Sequence, residues 1–257
     1  VDHIKETNRW EITKNETDDL QPHIEELKEK KSGTTIIWQR LDKLFESEII
    51  DRRYGHRPII KIRDNVKKHL SMIFSDNMNG TSISMPLGKT FQNKIQPWDP
   101  FLEEHSSTIK EPSEPQTFQG SKIVITAYIL PARNEFEKEY EYDQGGGATG
   151  RWIDRQGIYI YRKGRLIVPG GWQDVRLGNR EMEPKERWNR IRIRLDYDGT
   201  NDELWKLDVK KTQVRIPALI REKLKQIIDA LIEKVKQLEL IPLIELLFDT
   251  FILKIQP

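Results

Sequence analysis

The sequence predicts an α+β protein, and three observations lead to that class. Short β-branched or alternating runs, divided by glycine-bearing turns, occupy residues 123–195. Behind Pro217, apolar residues recur at helical spacing from Leu219 to Leu238. Hydrophobic residues make up 36% and charged ones 33%, with seven Trp, seven Tyr and eight Phe in 257 residues. That mix is polar for a globular protein but too aromatic for a disordered one, and the length suffices to bury a core.

Taken in order, residues 1–31 are polar, with a short strand at Trp10 and Ile12 and a helix over Leu20 to Lys31. Gly33 then releases an apolar strand, Thr34 to Trp38. The spacing of Val66, Leu70, Ile73 and Phe74 predicts a helix near 60–75. Asn79-Gly80 accepts the positive φ of a primed turn, so strands are expected on both sides, with Ile83 and Met85 on the second. Residues 105–120 and Asp143 to Gly150 read as loops. Ile123 to Leu130 reads as a buried strand. Gly157 to Tyr161 and Arg165 to Val168 flank Arg162-Lys163-Gly164 as a hairpin. Trp188 to Leu195 alternates, with Ile191, Ile193 and Leu195 on one face and Arg190, Arg192 and Arg194 on the other. Leu204 to Val209 is expected to be another strand. Pro217 suits a first helical position, where a missing N–H costs nothing. The stripe behind it reads as a buried helix face. The tail from Leu238 to Ile255 is apolar but broken by Glu239, Pro242, Glu245 and Asp249. It either packs on the preceding helix or forms an exposed patch for self-association.

Composition excludes several classes. Zero Cys removes disulfide frameworks, thiolate zinc sites and cysteine nucleophiles. The net charge of +2 leaves both acidic and basic partners open. The chain shows no signal segment and no uncharged run long enough for a membrane span, so a cytoplasmic protein without a membrane partner is expected. It opens at Val1 rather than Met, which suggests a processed form or an excerpt. Gly88-Lys89-Thr90 resembles the end of a phosphate loop, but the Gly required five residues earlier is Ile83. His3, His23, His56, His69 and His105 never fall at ligand spacings, so no metal site is expected.

Two separated stretches carry a family resemblance. Gly33-Thr34-Thr35-Ile36-Ile37-Trp38-Gln39-Arg40-Leu41 resembles the Gly-Thr strand that closes the nucleotide-binding domain of the GHKL ATPases (gyrase, heat-shock chaperone, histidine kinase, MutL). In that superfamily the Thr reaches the adenine pocket, and Thr34 is the matching position. A hydroxyl there can both donate and accept at a base edge or its bound water. Gln156 to Ile167 is similar to the MutL-type hairpin ending in a Gly-Arg turn. Leu207 to Ile216 is similar to the strand and loop in which MutL carries Lys-x-x-Val-Arg. The resemblance implies a transducer domain with the fold of the second domain of ribosomal protein S5, a mixed sheet with helices on one face. It also implies a loop Lys that contacts the ATP γ-phosphate, matched by Lys211 and, in the alternative register, by Lys210. A flexible ammonium suits that role. Ile95 to Phe101 resembles the MORC-like bacterial members, and its Trp and Phe beside prolines read as a structural link. Arg162-Lys163 stands where MutL has Asn before Gly-Arg, which favours the MORC-like group over a mismatch-repair role.

The resemblance covers only part of such an ATPase. Its magnesium-holding Asn helix, Asp-x-Gly strand and glycine-rich lid would precede Gly33, and none occurs in residues 1–32. The implied organisation is 1–45 as the last strands of a Bergerat-type ATPase domain, 46–240 as the transducer and 241–257 as an apolar tail. ATP and Mg²⁺ belong to the intact parent, and this chain alone is expected to bind ATP poorly. The implied partners are the upstream ATPase domain and a second copy.

Two functions follow. The first is nucleotide sensing through Lys211, relayed to dimerisation or to a partner. The second is nucleic-acid binding, because residues 151–194 hold twelve basic against five acidic residues, and clustered cations release phosphate counterions. Arg162, Lys163, Arg165, Arg190, Arg192 and Arg194 are its candidate contacts. A free-standing hydrolase lacks any convergent catalytic set.

Overall fold

The β-branched run Ser121–Ile129 (β3) is the spine of a six-stranded mixed sheet. The computed structural model describes residues 57–78, 82–85, 94–113, 115–147, 151–207 and 214–252. The chain divides into two units, Val1–Pro58 and Ile59–Pro257. All the elements below, apart from the first two residues of the first helix, belong to the second unit. Short strands β1 (Ile109–Lys110) and β2 (Gln116–Phe118) pair antiparallel with opposite ends of β3. On its other side β3 pairs antiparallel with β8 (Ile191–Tyr197), from Ile123↔Tyr197 to Ile129↔Ile191. Strand β8 then lies parallel to β4 (Gly157–Arg162), which turns antiparallel into β5 (Arg165–Pro169). Strands β6 (Arg176–Leu177) and β7 (Arg180–Glu181) form a separate two-stranded sheet. The protein is therefore α+β, as composition and periodicity predict, and its sheet is mixed.

Local chemistry explains the elements that were foreseen. Between β4 and β5, Lys163 and Gly164 both take positive φ, 49° and 74°, as a primed two-residue turn requires. Helix α1 spans Arg57–Ile73, close to its expected limits. A short helix α2 (Glu139–Gly145) runs into the three-glycine stretch. The long helix α3 covers Ala218–Ile252, directly after Pro217. Its residues Ile220, Leu224, Ile228, Leu231, Ile232 and Val235 are all buried, a stripe of successive turns along one face. Burying six such side chains stabilises the unit by on the order of 10 kcal/mol before entropy is counted. Leu219 falls outside this stripe, 67% exposed, because it sits one residue, about 100° of helix, from Ile220. Helix α3 continues through Pro242, with Leu240 and Ile241 half-exposed. Among the described residues no helix is long and apolar enough to cross a membrane.

Both faces of the sheet are covered. On one face α3 packs over Ile123, Ile129, Ile158, Ile160, Ile193 and Leu195. On the other, Tyr128, Tyr159, Tyr161 and Leu166 meet Met72 and Ile73 from α1, Phe101 and Trp152.

Four expectations differ from the structure. Asn79-Gly80 lies outside the described residues, but Asp76–Met78 before it is a 3₁₀ turn rather than a strand. It prolongs the end of α1, since the Met78 N–H donates to the Phe74 carbonyl. On the far side, Ser84 forms only an isolated bridge with Lys94. The 105–120 loop contains β1 and β2, and α2 occupies the start of the 143–150 loop. Leu204 to Lys206 form a turn, not a strand. Successive N–H groups of residues 204, 205 and 206 bond back to Asn201, Asp202 and Glu203, and Asn201 and Lys206 take left-handed φ values of 59° and 45°.

Candidate functional site

The β4–β5 hairpin tip, Asp202, Trp205 and Arg215 meet at one end of the sheet. The parallel register sets Arg162, the last residue of β4, beside Tyr197, the last of β8. The Lys163 N–H donates to the Tyr197 carbonyl at 3.2 Å, which pins the hairpin tip to the segment leaving β8. Arg162 then reaches across that segment. Its Nε donates to Asp202 Oδ1 at 2.9 Å and its Nη2 to Asp202 Oδ2 at 2.6 Å. This two-pronged bond raises the Arg162 pKa further above its ordinary value.

Beyond Asp202 the chain is anchored again. Trp205 is fully buried and stacks on Tyr197, with ring centroids 4.3 Å apart and planes 14° from parallel. The Arg215 N–H donates to the Trp205 carbonyl at 2.7 Å. Ile216 is buried and Arg221 Nη2 caps its carbonyl at 2.9 Å, just where α3 begins. Segment 208–213, which carries Lys210 and Lys211, lies outside the described residues, as does Thr34. The residues that bracket 208–213 are nevertheless fixed to each other and to the hairpin end.

The alternate arginines of β8 need correction. The even-numbered face, which holds candidate nucleic-acid contacts, is covered by a second layer. Arg192 is 0% exposed. Its Nη1 donates to the Tyr159 hydroxyl at 2.8 Å and the Pro100 carbonyl at 3.2 Å, and its Nη2 to the Gly145 carbonyl at 2.9 Å. The guanidinium lies 5.6 Å from the Trp152 ring and 5.7 Å from the Tyr159 ring, so cation–π attraction replaces part of its hydration. Burial lowers its pKa from the ordinary value. Arg194 lies 4.2 Å above the Tyr161 ring and bonds Asp76 of the 3₁₀ turn and Asp196, the latter at 2.6 Å. Burial works against its charge, but the two carboxylates outweigh it and raise its pKa. Arg190 donates to the Leu130 carbonyl at 2.8 Å and approaches Glu135 at 3.9 Å. Arg165 is half-buried, 5.5 Å from the Phe74 ring. Of the six candidate nucleic-acid contacts, only Lys163 is exposed; the others are buried or half-buried.

The glycines and the Ile95–Phe101 stretch serve the same second layer. A Cβ on Gly147 would meet the Trp98 ring at 2.7 Å, and one on Gly145 would overlap the Trp152 ring. The indole N–H groups of Trp98 and Trp152 donate to the carbonyls of Gln144 and Tyr142, both at 2.8 Å. Asp99 caps the N–H groups of Phe101 and Glu103 at 2.8 and 2.6 Å. Reading this stretch as a structural link matches its packing. Sequence reasoning missed Asp76, Asp202 and Trp205: Asp76 falls where a strand was expected before Asn79-Gly80, Trp205 falls inside an expected strand, and Asp202 lies in a polar turn with no signal of its own.

Comparison with known proteins brings no family model that matches the chain and no curated protein that matches it.

Proposed function

We propose that this chain is the transducer portion of a GHKL-type ATPase, in which Lys211 senses the γ-phosphate of ATP. What carries the reading is the Arg215–Trp205 bond at 2.7 Å. It closes the ends of the Lys-bearing segment immediately before α3, while Trp205 ties that segment to the β4–β5 hairpin through Tyr197. In the family resemblance, hairpin, lysine and helix occur in this same order. A lysine on a segment with anchored ends can be delivered to a phosphate at small entropic cost, and α3 offers a stiff lever for passing the change on. The upstream ATPase domain, ATP and Mg²⁺ complete the reading. Arg162, Asp202 and Trp205 act in it as positioning residues.

In the protein joined to its ATP-binding domain, Lys211→Ala is expected to slow ATP hydrolysis about 10²-fold, the usual effect of removing one cation from developing phosphate charge. Lys210→Ala should change the rate far less. Equal rates for Lys211→Ala and wild type reject the assignment. The chain alone should turn over no ATP above background, and steady turnover by the purified chain sinks the reading.

A further inference from the structure

Two arginines are buried among the described residues, Arg192 and Arg155, and they are satisfied very differently. Arg192 donates to three oxygens. Arg155 is 9% exposed, yet among the described residues no carboxylate, carbonyl or hydroxyl accepts from its guanidinium. Its Nη1 donates to the Met72 sulfur at 3.5 Å, and its Nε has no partner. The Trp98 ring, 5.5 Å from the guanidinium carbon, supplies cation–π attraction but no acceptor in the plane of the N–H groups. A thioether is a weak acceptor, so this cation is poorly paired where burial makes poor pairing costly.

The sulfur it touches lies at a structural seam. Met72 belongs to the last turn of α1 and packs with Ile73 among the tyrosines of the sheet. Beside it, the Trp98 N–H donates to the Ser71 carbonyl at 3.0 Å and the Ser75 hydroxyl to the Met72 carbonyl at 3.3 Å. Met72 keeps 8% of its surface open, so the site is not sealed against a molecule as small as hydrogen peroxide.

We propose that Met72 is a reversible oxidation site whose sulfoxide is held by the Arg155 guanidinium. The oxidant is a hydroperoxide. A sulfur lone pair attacks its terminal oxygen, and an S–O bond forms as the O–O bond breaks. The proton of the transferred hydroxyl passes to the released oxygen, which leaves as water or an alcohol. Sulfur gives up two electrons and the peroxide takes up two. Methionine sulfoxide reductases reverse the step. In an ordinary core the new oxygen is a polar group without a partner, and packing suffers. Here it forms beside an N–H already directed at the sulfur, so a weak contact becomes a charge-assisted N–H···O bond. Oxidation therefore fastens the end of α1 to the layer over the sheet instead of loosening it. The inference does not depend on the ATPase reading.

The test uses the full chain with Met78, Met85 and Met182 replaced by Leu, which leaves Met72 as its one methionine. Dilute hydrogen peroxide should add one oxygen to the folded chain, and peptide mass spectrometry should place it on Met72. The unfolding constant from urea titration should then fall, or stay within about threefold of the reduced form. In Arg155→Leu the same oxygen meets no donor, and oxidation should raise the unfolding constant at least about tenfold, the effect of one lost charge-assisted hydrogen bond. Should Arg155→Leu fail to fold, Met72→Gln carries the test against Met72→Leu, since its amide oxygen imitates the sulfoxide. With Arg155 present, Met72→Gln should unfold within about threefold of Met72→Leu, although Gln is the polar residue of the two. No oxidation of Met72 in the folded chain, equal destabilisation with and without Arg155, or Met72→Gln unfolding at least about tenfold more readily than Met72→Leu overturns the proposal.

Discussion

Replacing Arg192 with Met is expected to lower the unfolding free energy by about 3–5 kcal/mol, the cost of breaking a buried charged network by removing one partner. The reason is specific. Three acceptors, the Pro100 and Gly145 carbonyls and the Tyr159 hydroxyl, converge on one guanidinium with no exposure to water. Met fills much of the volume but donates nothing, so those oxygens lose their partner inside a closed layer. Arg192→Lys should rescue only a minor part, because one ammonium cannot reproduce the planar fork or its stacking on Trp152 and Tyr159. The loss should register as a lower urea midpoint followed by tryptophan fluorescence. Arg190→Gln should cost far less, since that side chain keeps some contact with water. An unfolding free energy for Arg192→Met within about 1 kcal/mol of wild type would show that this network does not hold the layer. An Arg190, Arg192 and Arg194 triple substitution is accordingly a folding variant before it can be a binding variant.

Gly157→Ala is expected to cost about 3 kcal/mol or more and to disturb the sheet at its parallel pair. Gly157 has φ +100°, a region essentially closed to side chains. A Cβ there would also strike the Gly171 carbonyl, the acceptor for the Ile158 N–H at 2.8 Å. Backbone strain and the displaced hydrogen bond add, because the Gly170-Gly171 turn is itself tied to Gln156 through the Gly171 N–H at 2.7 Å. Gly157 also opens the β4–β8 register opposite Arg192, so the damage should reach the buried guanidinium. Hydrogen exchange of β4 amides should accelerate in the variant. Wild-type protection and midpoint together would rule out this account.

Much of the fold was legible from residue patterns alone. The β3 run, the β4–β5 hairpin, α1 and α3 each follow from a signal contained within one segment: β-branched density, a Lys-Gly turn accepting positive φ, or apolar residues three and four apart. The turn at Leu204 to Lys206 was misread because Trp205, Leu207 and Val209 alternate with polar residues as a strand does. Trp205 is buried, yet by stacking on Tyr197 and not by pairing in a ladder. Of the candidate site, the order of hairpin, lysines and helix was readable, whereas the Arg162–Asp202 and Trp205–Tyr197 links were not.

The sequence by itself determined which residues of β8 share a face, because the side-chain period of a strand is two. It could not determine what lies over that face. Ile191, Ile193 and Leu195 meet α3, an arrangement their apolar character already demanded. Arg192 and Arg194 meet a layer assembled from Asp76, Pro100, Gly145 and Trp152, with the Arg194–Asp76 pair bridging 118 residues of chain. A guanidinium reads alike in the sequence whether it faces water or a ring of carbonyls and aromatic rings. Only the tertiary structure brings those acceptors together, and the stabilisation of a buried cation comes from that convergence rather than from any neighbour along the chain.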